Sequence, residues 1–121
     1  MNENKKKGDG GEEIASAYLE KKGYKILFRN WRYLHKEIDI IAASKNELII
    51  VEVKARTFGS LFSPLEAVNL KKQRLIIDAA NAFIEKHNVN LDVRFDIITI
   101  IYKIDKYEIE HIENAFYPKV K

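Results

Sequence analysis

Two apolar runs on either side of a short polar turn constrain this chain more than anything else in it. Glu37-Ile38-Asp39-Ile40-Ile41-Ala42-Ala43 and Leu48-Ile49-Ile50-Val51-Glu52-Val53-Lys54-Ala55-Arg56 flank Ser44-Lys45-Asn46-Glu47. Their β-branched content reads as two strands, and the turn reads as a hairpin. Successive strand residues point to opposite faces, so a one-residue slip would carry every side chain to the wrong side. With Lys45-Asn46 as the loop, Ala43 stands opposite Leu48, Asp39 opposite Glu52 and Glu37 opposite Lys54. A four-residue loop keeps these pairs. A three-residue loop sets Ile38 against Glu52, mixes apolar with charged on both faces, and is disfavoured. Alternation further expects Ile38, Ile40 and Ala42 on one face, with Glu37, Asp39, Glu52 and Lys54 together on the other.

The flanking segments supply helices and more strands. Asp9 offers an N-cap with Glu12 three residues later, and Ile14, Ala15, Tyr18, Leu19 and Lys22 recur at helical spacing before Gly23. This predicts an amphipathic helix from Gly11 to Lys22, closed by the glycine. Tyr24 to Phe28 alternates as a first strand. Ser63-Pro64-Leu65-Glu66 carries the strongest helix-start signal, and Asn69 can recap a longer helix with Ile76, Ala79, Ala80, Phe83 and Ile84 on one face, ending near His87-Asn88. Leu91 to Tyr102 is a long strand, with Tyr107 to Ile112 as a hairpin partner. The order α-β-β-β-α-β plus one further strand predicts an α/β domain, a mixed sheet flanked by helices. The helix between strands three and four calls for a right-handed crossover to a parallel neighbour.

At 121 residues and 46% apolar, the chain suits one domain, expected over 9–118, behind a flexible basic tail at 1–8. No apolar run is long enough to span a bilayer, so no membrane role is expected. The absence of cysteine excludes thiol chemistry and fits a cytoplasmic setting. The net charge of +3 belongs to the ends: residues 11–118 carry 16 basic and 16 acidic side chains. Bulk charge therefore does not argue for a nucleic-acid partner; only a local patch can.

The favoured register has a chemical consequence. Directly opposed carboxylates repel, and something must offset Asp39 against Glu52. A divalent cation, Mg²⁺ or Mn²⁺, does so with one or two carboxylates and water, and Lys54 then stands beside it. Such a set suits phosphodiester hydrolysis, in which a metal activates water and an ammonium stabilises the phosphate charge. The same charges can instead form a solvated sheet face, with Lys54 bridging Glu37 and Glu52. Glu12 is a fourth acid, either reaching the sheet or serving as the capping partner of Asp9. Lys72 and Gln73 interrupt the apolar face of the long helix at its start, either closing the site near a phosphate or snorkelling from the core edge, while Lys71 faces away. Arg29, Trp31, Arg32, Tyr33, His35 and Lys36 interleave cations with aromatics, as a nucleic-acid groove requires, although Trp31 can equally be a core plug. His35, His87 and His111 have no zinc-ligand spacing.

Asp39 followed by Glu52-Val53-Lys54 resembles the signature of the PD-(D/E)XK, restriction-endonuclease-like superfamily. A longer series is similar to the YraN-like family: Gly8-x-x-Gly11-Glu12, Tyr18-Leu19, Gly23-Tyr24, Asn30, Glu37 to Ala42, Val51-Glu52-Val53-Lys54-x-Arg56, Phe58-Gly59, Lys71, Arg94-Phe95-Asp96 and Asn114-Ala115-Phe116. It covers nearly the whole chain. Lys36 departs from it, standing where a glycine usually precedes Glu37. The resemblance implies the α-β-β-β-α-β nuclease core, kinship to Holliday junction resolvases, and divalent metal held by Asp39, Glu52 and Glu12, with Lys54 as the catalytic lysine. Gln73 falls near a helix glutamine found in some relatives. No substrate is implied.

The expectation is thus a metal-dependent nuclease acting on DNA, branched or damaged, with Asp39, Glu52, Lys54 and Glu12 as catalytic residues. Arg29, Trp31, Arg32, Lys36, Arg56, Lys72 and Gln73 are the expected nucleic-acid contacts. Two alternatives remain: a non-catalytic nucleic-acid-binding module, and a scaffold whose Tyr107–Ile112 edge pairs with a second copy as a homodimer.

Overall fold

A computed structural model describes residues 3–59 and 68–118, with residues 3–9 described by their backbone alone. The elements run α1 (Glu3–Lys21), β1 (Lys25–Tyr33), β2 (Lys36–Ala43), β3 (Glu47–Thr57), α2 (Leu70–His87), β4 (Asp92–Tyr102) and β5 (Tyr107–Phe116). The five strands form one mixed α/β sheet in the order β1-β2-β3-β4-β5, antiparallel except for the β3–β4 pair. The expected order, the parallel crossover through a helix and the extra strand are all present, an arrangement consistent with a restriction-endonuclease-like fold. No helix among the described residues is long and apolar enough to cross a membrane.

One helix covers each face. Ile76, Ala79, Ala80 and Phe83 of α2 pack on Ile41, Leu48, Ile50, Phe95 and Ile97. Ala15 and Leu19 of α1 pack on Ile40, Ala42, Ile49, Val51, Ile98 and Ile100 on the opposite face. Covered on both sides, β3 from Leu48 to Glu52 and β4 from Arg94 to Ile101 are buried without interruption, which is why these stretches read as largely apolar runs.

Local chemistry closes the elements. Gly23 is left-handed (φ 98), and its N–H bonds Glu20 O while Tyr24 N–H bonds Leu19 O, both at 3.0 Å. This is the paired C-terminal closure that a left-handed residue permits. Asn88 (φ 51) does the same for α2, and the Asn69 side chain caps its start by accepting Lys72 N–H at 2.9 Å. The β2–β3 turn is the expected one: Ser44 N–H bonds Glu47 O at 2.9 Å, and Ala43 pairs with Leu48.

Three expectations need correction. Helix α1 begins at Glu3, so its backbone runs straight through Asp9, which is not its cap, and Glu12 lies inside the helix rather than in a capping box. Strand β1 continues through Trp31 to Tyr33, past the alternating stretch. Ile38 joins Ile41 on the α2 face instead of Ile40 and Ala42. Its β1 partner Trp31 lies on that face too, and between the pairs Arg29–Ile40 and Trp31–Ile38 stands Asn30 in the left-handed region (φ 54). A left-handed residue twists a strand locally, and here the ribbon turns both partners over together. The Ser63–Glu66 helix start lies outside the described residues.

Candidate active site

The β2–β3 ladder pairs Ile40 with Val51, Ile41 with Ile50, Ala42 with Ile49 and Ala43 with Leu48, the register that alternation favours. Beyond Ile40 a side chain takes over from the backbone. Asp39 Oδ2 accepts the N–H of Val53 at 2.8 Å, which holds the Asp39 carboxyl against its neighbour Glu52. Glu52 is 3% exposed. Burial, the charge of Glu52, a hydrogen bond with Glu52 and the nearby charge of Glu12 together push Asp39 up to about 8, against the lowering effect of the Val53 N–H. Glu52 is buried and Asp39 half-buried beside it, and at neutral pH the Asp39 carboxyl keeps its proton and donates it to Glu52.

Two ammonium groups complete the balance. Lys54 Nζ lies 3.3 Å from Glu52 Oε2, and Lys72 Nζ, from the first turn of α2, lies 3.6 Å from the same oxygen. Four elements therefore converge: α1 brings Glu12, β2 Asp39, β3 Glu52 and Lys54, and α2 Lys72. Glu37, expected opposite Lys54, reaches Arg32 instead at 3.8 Å.

The other expected contacts divide. Arg29 and Arg32 are exposed on β1. Trp31 packs edge-on against Phe83 of α2, with ring centroids 5.3 Å apart, and so helps build the α2 face. Lys36 pairs with Asp78 at 3.5 Å. Gln73 donates its amide to Val68 O at 2.9 Å, bracing the entry to α2 rather than pointing at the acids. Arg56 is half-buried further along β3, and Lys71 is exposed, as expected.

As a metal centre, the donor set is small. Among the described residues no group of three or more carboxylate, histidine or cysteine side chains is gathered to hold a metal ion. What the site offers is the Asp39–Glu52 pair, with Glu12 near enough to raise Asp39. That pair fits Mg²⁺ or Mn²⁺, which take one or two carboxylates and fill the remaining positions with water or phosphate oxygens. A divalent cation there relieves the repulsion that a proton and two lysines now offset.

A second polar cluster, on the α1 face of the sheet, escaped sequence reasoning. Asp96 is fully buried and accepts from Arg94 Nε at 2.9 Å and Nη2 at 2.8 Å, from His111 Nε2 at 2.7 Å and from Asn114 N–H at 3.1 Å. His111 Nδ1 shares a hydrogen bond with the Tyr18 hydroxyl at 3.1 Å, and Arg94 Nη2 also donates to the Tyr24 hydroxyl at 2.8 Å. Burial alone would raise Asp96, but the bonds from His111, Arg94 and Asn114 outweigh it and hold the carboxyl below its ordinary value. The one sequence signal was an acid inside an otherwise apolar strand, which must find partners when buried.

Known proteins are similar to this chain over most of its length. A profile of the uncharacterised protein family UPF0102 matches residues 11–100. A UPF0102 protein of Parabacteroides distasonis is 51% identical over 110 residues, 91% of each chain. Those of Phocaeicola vulgatus and Bacteroides thetaiotaomicron are each 48% identical, over 99% and 98% of both chains respectively. None of these descriptions names an activity.

Proposed function

The chain belongs to the uncharacterised protein family UPF0102, a premise that names no reaction, and we propose that it is a divalent-metal-dependent nuclease hydrolysing DNA phosphodiester bonds. The observation that carries this reading is the Asp39–Glu52 pair: a half-buried acid pressed against a buried one at the end of a strand ladder, with a lysine 3.3 Å from Glu52. A fold gains nothing from such a pair, because buried like charges cost stability. Sites that handle a cation need it.

Asp39 and Glu52, with Glu12 beside them, would hold the metal, whose chemistry is to acidify water and take up phosphate charge. The remaining work falls to the chain itself. Lys54, anchored on Glu52, presents an ammonium to the phosphate oxygen on which charge builds. Burial of the acids by α1 and α2 keeps bulk water from screening that charge. Arg29 and Arg32 on β1 give the DNA backbone a place to lie alongside. The cysteine-free composition suits a reducing cytoplasm.

A second reading is supported by a specific observation. Glu52 already holds Lys54 and Lys72, so the site is balanced by its own lysines, as a nucleic-acid-binding module that does no chemistry would have it.

Thermal unfolding with and without millimolar Mn²⁺ separates the two. The wild type should gain roughly 2.7 kcal/mol at about a hundred times the dissociation constant, and Glu52→Gln should gain nothing while folding as well as the wild type. If the wild type shows no gain, either alone or with branched DNA present, the metal reading falls and the binding module stands.

A further inference from the structure

The turn between β1 and β2 contains a residue that folding does not explain. Tyr33 pairs with Lys36, so Leu34 and His35 form a two-residue hairpin turn. Leu34 has φ 56 and His35 is not left-handed, which is the pattern whose first position ordinarily belongs to glycine. A leucine crowds its own backbone there. Nor does its side chain pack inside the fold, since Leu34 is 75% exposed. Asparagine or glycine would relieve the backbone and remove the apolar surface together. Strain kept in a backbone points to a role, and here the strained residue is also the one that presents a large apolar side chain to solvent.

The hairpin behind Leu34 is stiff and cationic. Trp31 stands edge-on against Phe83, Tyr33 stacks on Trp31 with its ring tilted by only 7°, and Lys36 Nζ lies 5.7 Å over the Tyr33 ring. On the other side the Arg32 side chain is 74% exposed. Along β2 Leu34 is five residues from Asp39, about 16 Å at the usual strand rise. DNA that runs along β2 from Asp39 and Glu52 therefore reaches the tip.

An apolar finger among cations matches nucleic acid whose bases have come unstacked. The cations hold phosphates while an apolar side chain fills the gap between bases, and duplex that is already frayed or branched opens at least cost. We propose that Leu34 is a wedge that selects forked or branched DNA over continuous duplex for the site at Asp39 and Glu52. The inference rests on the reading of that site as one that works on DNA, and it names the substrate class.

The test uses the full chain and two DNAs of one sequence, a continuous duplex and a fork with 2-aminopurine at the branch, without metal. The wild type should bind the fork more tightly by roughly tenfold or more, which burial of one leucine side chain supports, and 2-aminopurine fluorescence should rise. Leu34→Asn should lose both effects yet bind duplex unchanged and melt at a higher temperature. Leu34→Met should keep the preference. Equal binding of fork and duplex by the wild type, or a preference that survives in Leu34→Asn, overturns the wedge. So does self-association that disappears in Leu34→Asn with no DNA preference, since it would assign Leu34 to a second copy. Because metal is absent, the two readings fail separately: fork preference without cleavage in Mn²⁺ overturns only hydrolysis, and cleavage without fork preference overturns only the wedge.

Discussion

Asp39 Oδ2 accepts the backbone N–H of Val53 at 2.8 Å, so a side chain completes a bond where the backbone ladder between β2 and β3 has stopped at Ile40 and Val51. The bond pins the Asp39 carboxyl against Glu52, which neither residue would choose alone. It ties the end of the β2–β3 ladder to the candidate site: where the ladder stops, the two acids meet and Asp39 is raised.

Stability should fall as pH rises across this feature. Asp39 keeps its proton in the folded state up to about 8, whereas in the unfolded chain an aspartate releases it near 4. Between those values the folded state binds the extra proton, and stability declines with increasing pH. Urea unfolding of the wild type should show that decline, and Asp39→Asn should flatten it. A divalent cation should reverse the slope, because the metal competes with the proton. A wild type whose stability is level between about pH 5 and 7, one unit inside the two values, removes the shared proton.

Lys54 is expected to act on the reaction and not on assembly of the site. Lys54→Met should reduce DNA cleavage by about 10²–10³, the usual effect of deleting one charge-stabilising donor. DNA affinity and the Mn²⁺-dependent rise in melting temperature should persist. Cleavage rates set beside binding isotherms decide the matter, and a parallel loss of both would assign Lys54 to holding the DNA backbone.

Asp96 should matter to the fold alone. Asp96→Asn keeps the shape but leaves the Arg94 guanidinium without its buried partner, a loss of about 3–5 kcal/mol. Since His111, Arg94 and Asn114 hold Asp96 low, its contribution is complete above the ordinary carboxylate range and disappears as pH falls through its folded value. Chemical unfolding near neutral pH and again in acid should show the gap between wild type and variant closing in acid. Metal-dependent stabilisation should survive in the variant, in contrast to Glu52→Gln.

Much of this was legible in the chain. The β2–β3 register followed from period-two alternation, because any slip puts charge into the core, and the register in turn brought Asp39 to Glu52. Gly23 and Asn69 marked helix ends through chemistry that needs only neighbours in sequence. Where local signals competed, they misled. Asp9 looks like a cap, yet the helix runs on to Glu3. Ile38 obeys alternation on paper, but the left-handed Asn30 beside it turns the β1–β2 ribbon over.

By itself, then, the sequence determined what period and neighbouring residues determine: the element order, the hairpin register, the close of both helices and the start of α2, and the opposition of two acids. Only the tertiary structure decided which charges meet. Lys72 reaches Glu52 across from α2, His111 finds Asp96 from β5, Glu37 turns to Arg32, and Leu34 is left exposed in a strained turn. The reason is physical. Alternation and capping act over a few residues of backbone, whereas the partner of a buried charge is set by how whole elements pack, and no local pattern records that.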